Sequence, residues 1–364
     1  MIMSAPLTVV VPNYNHARFL PNALDALLSQ SRQPCEIVVV DDASTDESRK
    51  IIAAYAARHA LIRPVYRHRN SGVIAVMNEA LHTARSPYIY FAAADDLVMP
   101  GFFSESFKLL EHYPQAAYCS ALSHIIDSEG NDCGIFPTPI PISKPGMITP
   151  REAERHLMRE GAWTMGNTVI YRRDALLAEG GFRPELQGFC DGFAHLALAL
   201  AHGACFIPRP LACWRRLRGS VSDQTTSNIA TTIAVIEVAT QVMSTDPSNR
   251  FRPSLIRRIR DRWLFGSARV LLSRDTFPVS DMLALFPTGH AFDHVLLRAF
   301  ISAGVPQLAT GYLFLRQRPY DLLPLIRRRL GYVLRGNRGL SRPSEADAPT
   351  EHNGLGCETA LGDR

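Results

Sequence analysis

An α/β architecture is predicted: a mainly parallel sheet flanked by helices, with a helical C-terminal extension. Three observations predict it. Short runs rich in β-branched and aromatic residues alternate with amphipathic helical segments up to about residue 210, and that βαβα order places strands in parallel. The strand-like runs are continuously apolar, as in Leu7–Val11 and Glu36–Val40, which suits strands covered on both faces. Beyond about residue 222 such runs cease and helical segments take over.

In chain order, the strand Leu7–Val11 is closed by Pro12, and Ala17–Ser29 is an amphipathic helix. Glu36–Val40 is a strand ending in Asp41-Asp42. Ser44, Thr45 and Asp46 then offer an N-cap to a helix, Asp46–Arg58, that carries Ile51, Ile52, Ala54 and Tyr55. Pro64–His68 is a short strand and Val73–Ala84 a helix. Tyr88–Ala93 is a strand, Pro100–His112 a helix and Ala116–Ile126 a strand. Residues 127–150, rich in Pro and Gly, read as loop. Arg151–Arg159 is a helix and Asn167–Arg172 a strand. After a break at Gly180-Gly181-Phe182 come a helix, Cys190–His202, and a strand, Ala204–Pro208.

The extension predicts helices over Ile229–Val242, Ser254–Leu272, Asp281–Leu285, Phe292–Ala303 and Pro324–Leu334. Arg257, Arg258, Arg260, Arg262 and Arg269 crowd one of them; Arg327, Arg328, Arg329 and Arg335 crowd the last. Basic amphipathic helices rest on anionic lipid surfaces, or present a solvated face while packing through their apolar stripe. A membrane span needs roughly 18–20 apolar residues; the stretch 295–315 is interrupted by Arg298 and Pro306. The expected divisions are a catalytic domain over 1–222, a helical, membrane-associating region over 223–340 and a polar, disordered tail over 341–364.

With 364 residues, 46% of them hydrophobic and 20% charged, the chain can bury a substantial core. A net charge of +5 is too mild to imply nucleic acid as a partner. Seven cysteines, an odd number without CxxC or zinc-like spacing, read as free thiols of a reducing cytosol. The N-terminus has no basic, signal-length apolar segment and is expected to carry no signal peptide.

Two strands each end in an acidic pair, Asp41-Asp42 and Asp95-Asp96. Burying such charges unpaired would cost several kcal/mol. They are tolerable at the carboxyl edge of the sheet, where open α/β sheets bind ligands. Asp95-Asp96 are hard oxygen donors suited to Mg²⁺ or Mn²⁺ bridging a diphosphate; read otherwise, they are a capping turn. Asp41 and Asp42 suit base N–H or ribose hydroxyl groups. Asn13, Tyr14 and Asn15 follow Pro12 at the same edge. Asp191 opens a helix, among free backbone N–H groups, and Arg215 and Arg216 lie in a basic stretch suited to phosphate oxygens. For both, a cap or a solvated turn is the plainer alternative.

In order, VVVPNYN (9–15), EIVVVDDASTDES (36–48), RNSGVIAVMNEAL (69–81), YIYFAAADDLVMPGF (88–102), GGF (180–182), Asp191 and WRRLRGSVS (214–222) resemble the family 2 glycosyltransferases of GT-A fold. The resemblance covers roughly residues 5–225. It implies a Rossmann-like GT-A domain and an inverting transfer from a nucleotide-diphosphate sugar, UDP-linked by family frequency, to an acceptor hydroxyl. It further implies nucleotide contacts at Pro12, Tyr14 and Asp42, donor contacts at Asn78 and Asp95, a metal (Mg²⁺ or Mn²⁺) at Asp96, and Asp191 as general base. Arg215 and Arg216 match a loop that closes over the diphosphate. Three positions depart from the family pattern: Ala93 replaces an Asp, Cys190 a Glu before the base, and Met77 an Arg before Asn78.

The leading expectation is a cytoplasmic transferase, peripheral on the inner face of the cell membrane. It would act on a glycan or lipid-linked acceptor in bacterial surface polysaccharide or glycolipid synthesis. The rival from another class is a non-catalytic nucleotide-sugar-binding subunit, suggested by Ala93 and Cys190; metal-dependent hydrolysis of a nucleotide sugar separates the two. A dinucleotide-dependent oxidoreductase would want G-x-G-x-x-G after the first strand, and VVVPNYN has none.

Overall fold

The computed structural model describes residues 4–217, 228–273, 277–286 and 290–322. A first compact unit ends at Pro319 and a second begins at Tyr320. Arg218 and the rest of the basic stretch to residue 222, the boundaries expected at 222 and 340, the helix Pro324–Leu334 and the tail 341–364 lie outside the described residues.

The first half alternates as expected: β1 (Ala5–Asn13), α1 (Leu20–Leu28), β2 (Pro34–Asp41), α2 (Ser48–Arg58), β3 (Ile62–Tyr66), α3 (Val73–Thr83) and β4 (Tyr88–Phe91). Then come β5 (Leu97–Val98), α4 (Phe102–His112), β6 (Tyr118–Ile126), β7 (Asp132–Ile135), β8 (Gly146–Ile148), α5 (Pro150–Arg159), β9 (Ile170–Arg172), α6 (Arg173–Ala178), α7 (Cys190–His202) and β10 (Ala204–Arg215). The extension contributes α8 (Ile229–Ser244), α9 (Pro253–Leu272), α10 (Val279–Ala284), α11 (Ala291–Ser302) and α12 (Pro306–Gln317).

All the strands join one sheet, ordered β3-β2-β1-β4-β9-β6-β10-β5, with β7 beside β6 and β8 beside β10. Pairs β1–β2, β2–β3, β1–β4 and β6–β10 are parallel. β9 runs antiparallel between β4 and β6, so the expected mainly parallel sheet is mixed in its second half. Side chains alternate between two cores. Val10, Val38, Val40, Ile89 and Phe91 face a cluster with α3, α5 and α7. Leu7, Val9, Val11, Ile37, Val39 and Tyr90 face the other cluster, with α1, α2 and α4.

Several differences from expectation have local causes. β10 does not stop at Pro208. Its register against β6 slips between Ile207 and Pro210 and again before Ala212. Proline cannot donate to the ladder, so the strand bulges there and resumes. The loop 127–150 holds the short strands β7 and β8, too brief for a periodic signal. Pro306 reads as an interruption but opens α12, where a missing N–H is harmless. At Thr149 the helix start is legible: its side chain accepts from Glu152 N while the Glu152 carboxylate accepts from Thr149 N. α7 ends at Gly203, with φ 76, where a Cβ would lie 2.5 Å from the Ile148 carbonyl oxygen; glycine alone closes that turn.

The extension is packed onto the α/β core. Val235, Ala239, Met243, Leu255 and Ile259 share a cluster with Leu157, Phe193 and Leu196. Arg258 and Arg262 donate to the carbonyls of Met158 and Leu157, with Arg262 Nη2 at 3.1 Å from Met158 O. These are carbonyls of the last turn of α5, where a cation contributes about 0.3–1 kcal/mol. Two of the arginines expected on a lipid-facing surface thus hold a helix end, while Arg257 and Arg269 are exposed. Further on, α9 to α12 enclose their own cluster, with Leu264, Phe265, Leu271, Met282, Leu297 and Leu313. Among the described residues no helix is long and apolar enough to cross a membrane.

Candidate functional site

β1, β2, β4, β6 and β10 all run in one direction, so their carboxyl ends share one edge of the sheet, and antiparallel β9 begins there. Pro12, Tyr14, Asp42, Asp95 and Asp96 gather on this edge because each lies at or just beyond a strand end, whereas Asn78 lies within α3.

At one side lies the loop after β2. Asp41 is fully buried; it accepts from Asn13 Nδ2 at 3.2 Å and from Arg49 Nε at 2.8 Å. Asp42 is also buried and accepts from Ser71 N at 3.0 Å and Gly72 N at 2.9 Å, with Arg67 beyond at 3.4 Å. Asp42 therefore ties the start of α3 to the end of β2. Asp46 takes the Ser48 N–H at the start of α2, at 2.9 Å. Tyr14 is 44% exposed and Pro12 half-buried, both on the same rim. Between Asp42 and Ser44 the chain turns through Ala43 at φ 65. A left-handed alanine costs about 1–2 kcal/mol, whereas glycine adds about 0.4–1 kcal/mol of freedom to the unfolded chain. Ala43→Gly should therefore raise the melting temperature by about 1–3 °C in a thermal denaturation scan; a lower melting point would contradict the strain.

At the centre lies the second acidic pair. Asp95 is half-buried and Asp96 buried. Asp96 Oδ1 accepts from Arg215 N at 2.7 Å, and the Asn167 side chain lies close enough to favour the ionised form of this carboxylate. Burial, then the charge of Asp95, pushes Asp96 well above the ordinary carboxylate range. Such a pair is short of positive charge. Among the described residues no three or more His, Cys, Asp or Glu converge as a metal cage. Two hard carboxylates with open positions fit Mg²⁺ or Mn²⁺, which take one or two carboxylates and leave room for substrate phosphates.

Arg215 is not free to reach phosphate. It is 4% exposed. Its Nε donates to Asp95 O at 2.8 Å and Nη1 to Asp127 O at 2.9 Å, and the guanidinium lies 4.8 Å above the Phe19 ring. The diphosphate contact expected at Arg215 gives way to a pin that fixes the acidic turn, because the strand carries its side chain inward. Arg216, the next residue, is exposed. Asn78, where a donor contact is expected, is engaged with the glycine turn. Its Nδ2 donates to Phe182 O at 2.7 Å and its Oδ1 accepts from Phe182 N at 2.8 Å. Gly181, at φ 75, leaves the room: a Cβ there would sit 2.6 Å from Asn78 Oδ1. Asn78 fastens the glycine turn.

Asp191 lies in the first turn of α7, with Oδ1 accepting from Gly192 N at 2.7 Å. Behind it, Tyr171 OH and His195 Nε2 are 2.6 Å apart and the rings stack at 5.7 Å. Burial pulls His195 down to about 4, against the opposing charge of Asp191. Burial, then Asp191, pushes the Cys190 thiol up to about 12. Both neighbours are neutral at neutral pH.

The turn Gly166–Thr168 joins the two carboxylate centres. Asn167 reaches Asp96, and a Cβ on Gly166 would lie 2.4 Å from Asp191 Oδ2. Asp96 and Asp191 therefore lie beside adjacent residues of one turn. Gly166 and Asn167 carry no site signal in the sequence: Asn167 reads as the first residue of a strand, and only the fold brings it near Asp96. The dipeptide Gly-Asn, a turn signal, was the available hint.

The family model "Glycosyl transferase family 2" matches residues 8–174. An uncharacterised protein of Mycobacterium tuberculosis is 29% identical over 213 residues, 58% of each chain. Glycosyltransferase GlyG of Streptococcus pneumoniae is 27% identical over 129 residues, 35% of this chain and 43% of its own. The chain thus spans about half, 58% and 43%, of the length of these curated relatives. Among solved structures, S. aureus TarS 1–349, also known with UDP, superposes with a TM-score of 0.58 at 15% identity, covering 86% of this chain and 91% of TarS. The mannosyltransferase PcManGT from Pyrobaculum calidifontis, in complex with GDP-Man and Mn²⁺, gives 0.52 at 19% identity, covering 88% of this chain and 87% of its own. At those identities the likeness establishes the fold. The match over residues 8–174 and the GT-A sheet around it identify this part of the chain as a glycosyl transferase family 2 domain.

Proposed function

We propose that this protein is an inverting, metal-dependent glycosyltransferase that moves a sugar from a nucleotide-diphosphate donor to an acceptor hydroxyl. The observation that carries the reading is the convergence of Asp96 and Asp191 across the Gly166–Asn167 turn. In this reading Asp191 removes the acceptor's proton as the oxygen attacks the anomeric carbon from the face opposite the diphosphate. One in-line displacement inverts the configuration and needs no covalent enzyme intermediate. Asp95 and Asp96 would hold the Mg²⁺ or Mn²⁺. Such an ion supplies Lewis-acid stabilisation of the diphosphate leaving group. Pro12, Tyr14 and Asp42 border the nucleotide base, and Arg216 supplies positive charge near the diphosphate. Arg215 acts by holding the Asp95 carbonyl.

The donor is a nucleoside-diphosphate sugar, with UDP the first candidate. TarS has been solved with UDP and PcManGT with GDP-Man and Mn²⁺, which supports testing both nucleotides. The acceptor is a surface glycan or lipid-linked precursor. GlyG is named a glycosyltransferase, without a stated acceptor. Contact with an anionic membrane face belongs to the same reading. It draws on exposed Arg257 and Arg269 and on Phe292 and Val295, 70% and 64% exposed on α11.

A thermal-shift screen of UDP, GDP and dTDP, each with and without Mn²⁺, tests the reading. Stabilisation that needs both the ion and one nucleotide is expected. A flat response to every combination would overturn it.

A further inference from the structure

We propose that Gly166 and Asn167 form a positioning element that locks the donor-side carboxylate Asp96 and the base Asp191 into one mutual geometry. The inference rests on the roles just assigned to those two aspartates.

The turn itself is anchored to the sheet on both sides. Thr168 is fully buried; its hydroxyl donates to Met165 O at 2.8 Å and accepts from Ala121 N of β6 at 3.1 Å. Tyr90 of β4 donates its hydroxyl to Asn167 O at 2.9 Å. Asn167 Nδ2 donates to Ser123 Oγ of β6 at 3.1 Å, and Ser123 in turn donates to Ala212 O of β10 at 3.2 Å. Three strands thus hold Asn167, its backbone through β4 and its side-chain amide through β6 and β10, and that side chain lies near enough to Asp96 to favour its ionised form. Its Oδ1 is buried and accepts no hydrogen bond. An orphan amide oxygen costs free energy.

On the other flank, Gly166 is needed for space rather than for backbone freedom. The missing Cβ would lie 2.4 Å from Asp191 Oδ2 and 3.6 Å from its Cγ. The obstructed atom ends a short side chain that can rotate away. A methyl group at residue 166 therefore displaces the carboxylate and leaves the fold intact. The two residues thus act on different centres: Asn167 on the donor side, Gly166 on the base.

The experiment compares full-length Asn167→Ala, Asn167→Ser and Gly166→Ala with wild type. One readout is the thermal shift given by Mn²⁺ with UDP, GDP or dTDP. The other is slow hydrolysis of the matching UDP-, GDP- or dTDP-glucose. Asn167→Ala should lose at least half of the ligand-induced shift, Asn167→Ser, which keeps a hydroxyl donor, should lose less, and ligand-free melting should stay within a few degrees of wild type. Gly166→Ala should keep the whole shift and hydrolyse about 100-fold more slowly, the order of a general-base contribution. A wild-type protein that no nucleotide stabilises overturns the proposed function and this inference with it. A stabilised wild type with an equally stabilised Asn167→Ala, or with Gly166→Ala hydrolysing at the wild-type rate, overturns this inference and leaves the function standing.

Discussion

Asp191→Asn is expected to bind nucleotide and metal like wild type and to transfer sugar about 10³-fold more slowly. General-base catalysis contributes about 10²–10⁴-fold, and the substitution removes that and little else. Asparagine has the shape of aspartate and keeps an oxygen for the Gly192 N–H, which the aspartate now holds at 2.7 Å. The pocket behind it is neutral, since burial keeps His195 near a pKa of about 4 and Cys190 near about 12. Among the described residues, neither of these neighbours is therefore poised to accept the acceptor's proton instead. Initial rates and a nucleotide thermal shift, measured on the same preparation, check the prediction. Full activity in Asp191→Asn would remove Asp191 as the base.

The second large effect concerns Asp96, and here function and stability should move apart. Asp96→Asn is expected to abolish the metal-dependent part of nucleotide binding and to lower transfer at least 10³-fold. The ligand-free protein should melt no lower than wild type. Burial and the charge of Asp95 both disfavour the ionised Asp96, and an ion held at the pair offsets that cost. Neutralising the side chain relieves the cost without the ion, while an amide oxygen still accepts from Arg215 N, now at 2.7 Å. Calorimetry of Mn²⁺ with UDP or GDP, beside a melting curve of the apo protein, measures both. Undiminished metal-dependent binding would show that the cation sits elsewhere.

What could be read from the chain and what could not follows the range of the interactions. Strand and helix identities up to α4 depended on local runs, and the acidic pairs announced the sheet edge because a buried strand has no use for them. The mixed direction of the sheet was not legible, since β9 owes its place between β4 and β6 to pairings far from it in sequence. Pro208 looked like a stop because a bulge leaves no local mark. Side-chain direction is the part of the site that the sequence does not carry. Arg215 and Asn78 have the residue types of ligand contacts, yet the fold points one at the Asp95 carbonyl and the other at the Phe182 backbone. Asn167 had the opposite fate: an ordinary turn residue in sequence, it meets Asp96 only once β4, β6 and β9 are assembled.

Asp191 lies beyond the stretch matched by the family model, which ends at residue 174. The helix bearing it is buttressed from the extension: Phe193 stacks on Phe251 at 6.0 Å, and Phe189 meets Trp263 at 5.2 Å. Each such aromatic pair contributes about 0.5–1.5 kcal/mol beyond burial. The helix that carries Asp191 thus takes its backing wall from outside the stretch that the family model matches. A cut made directly after β10 would leave that helix without its support, so the domain and its extension are expected to unfold together.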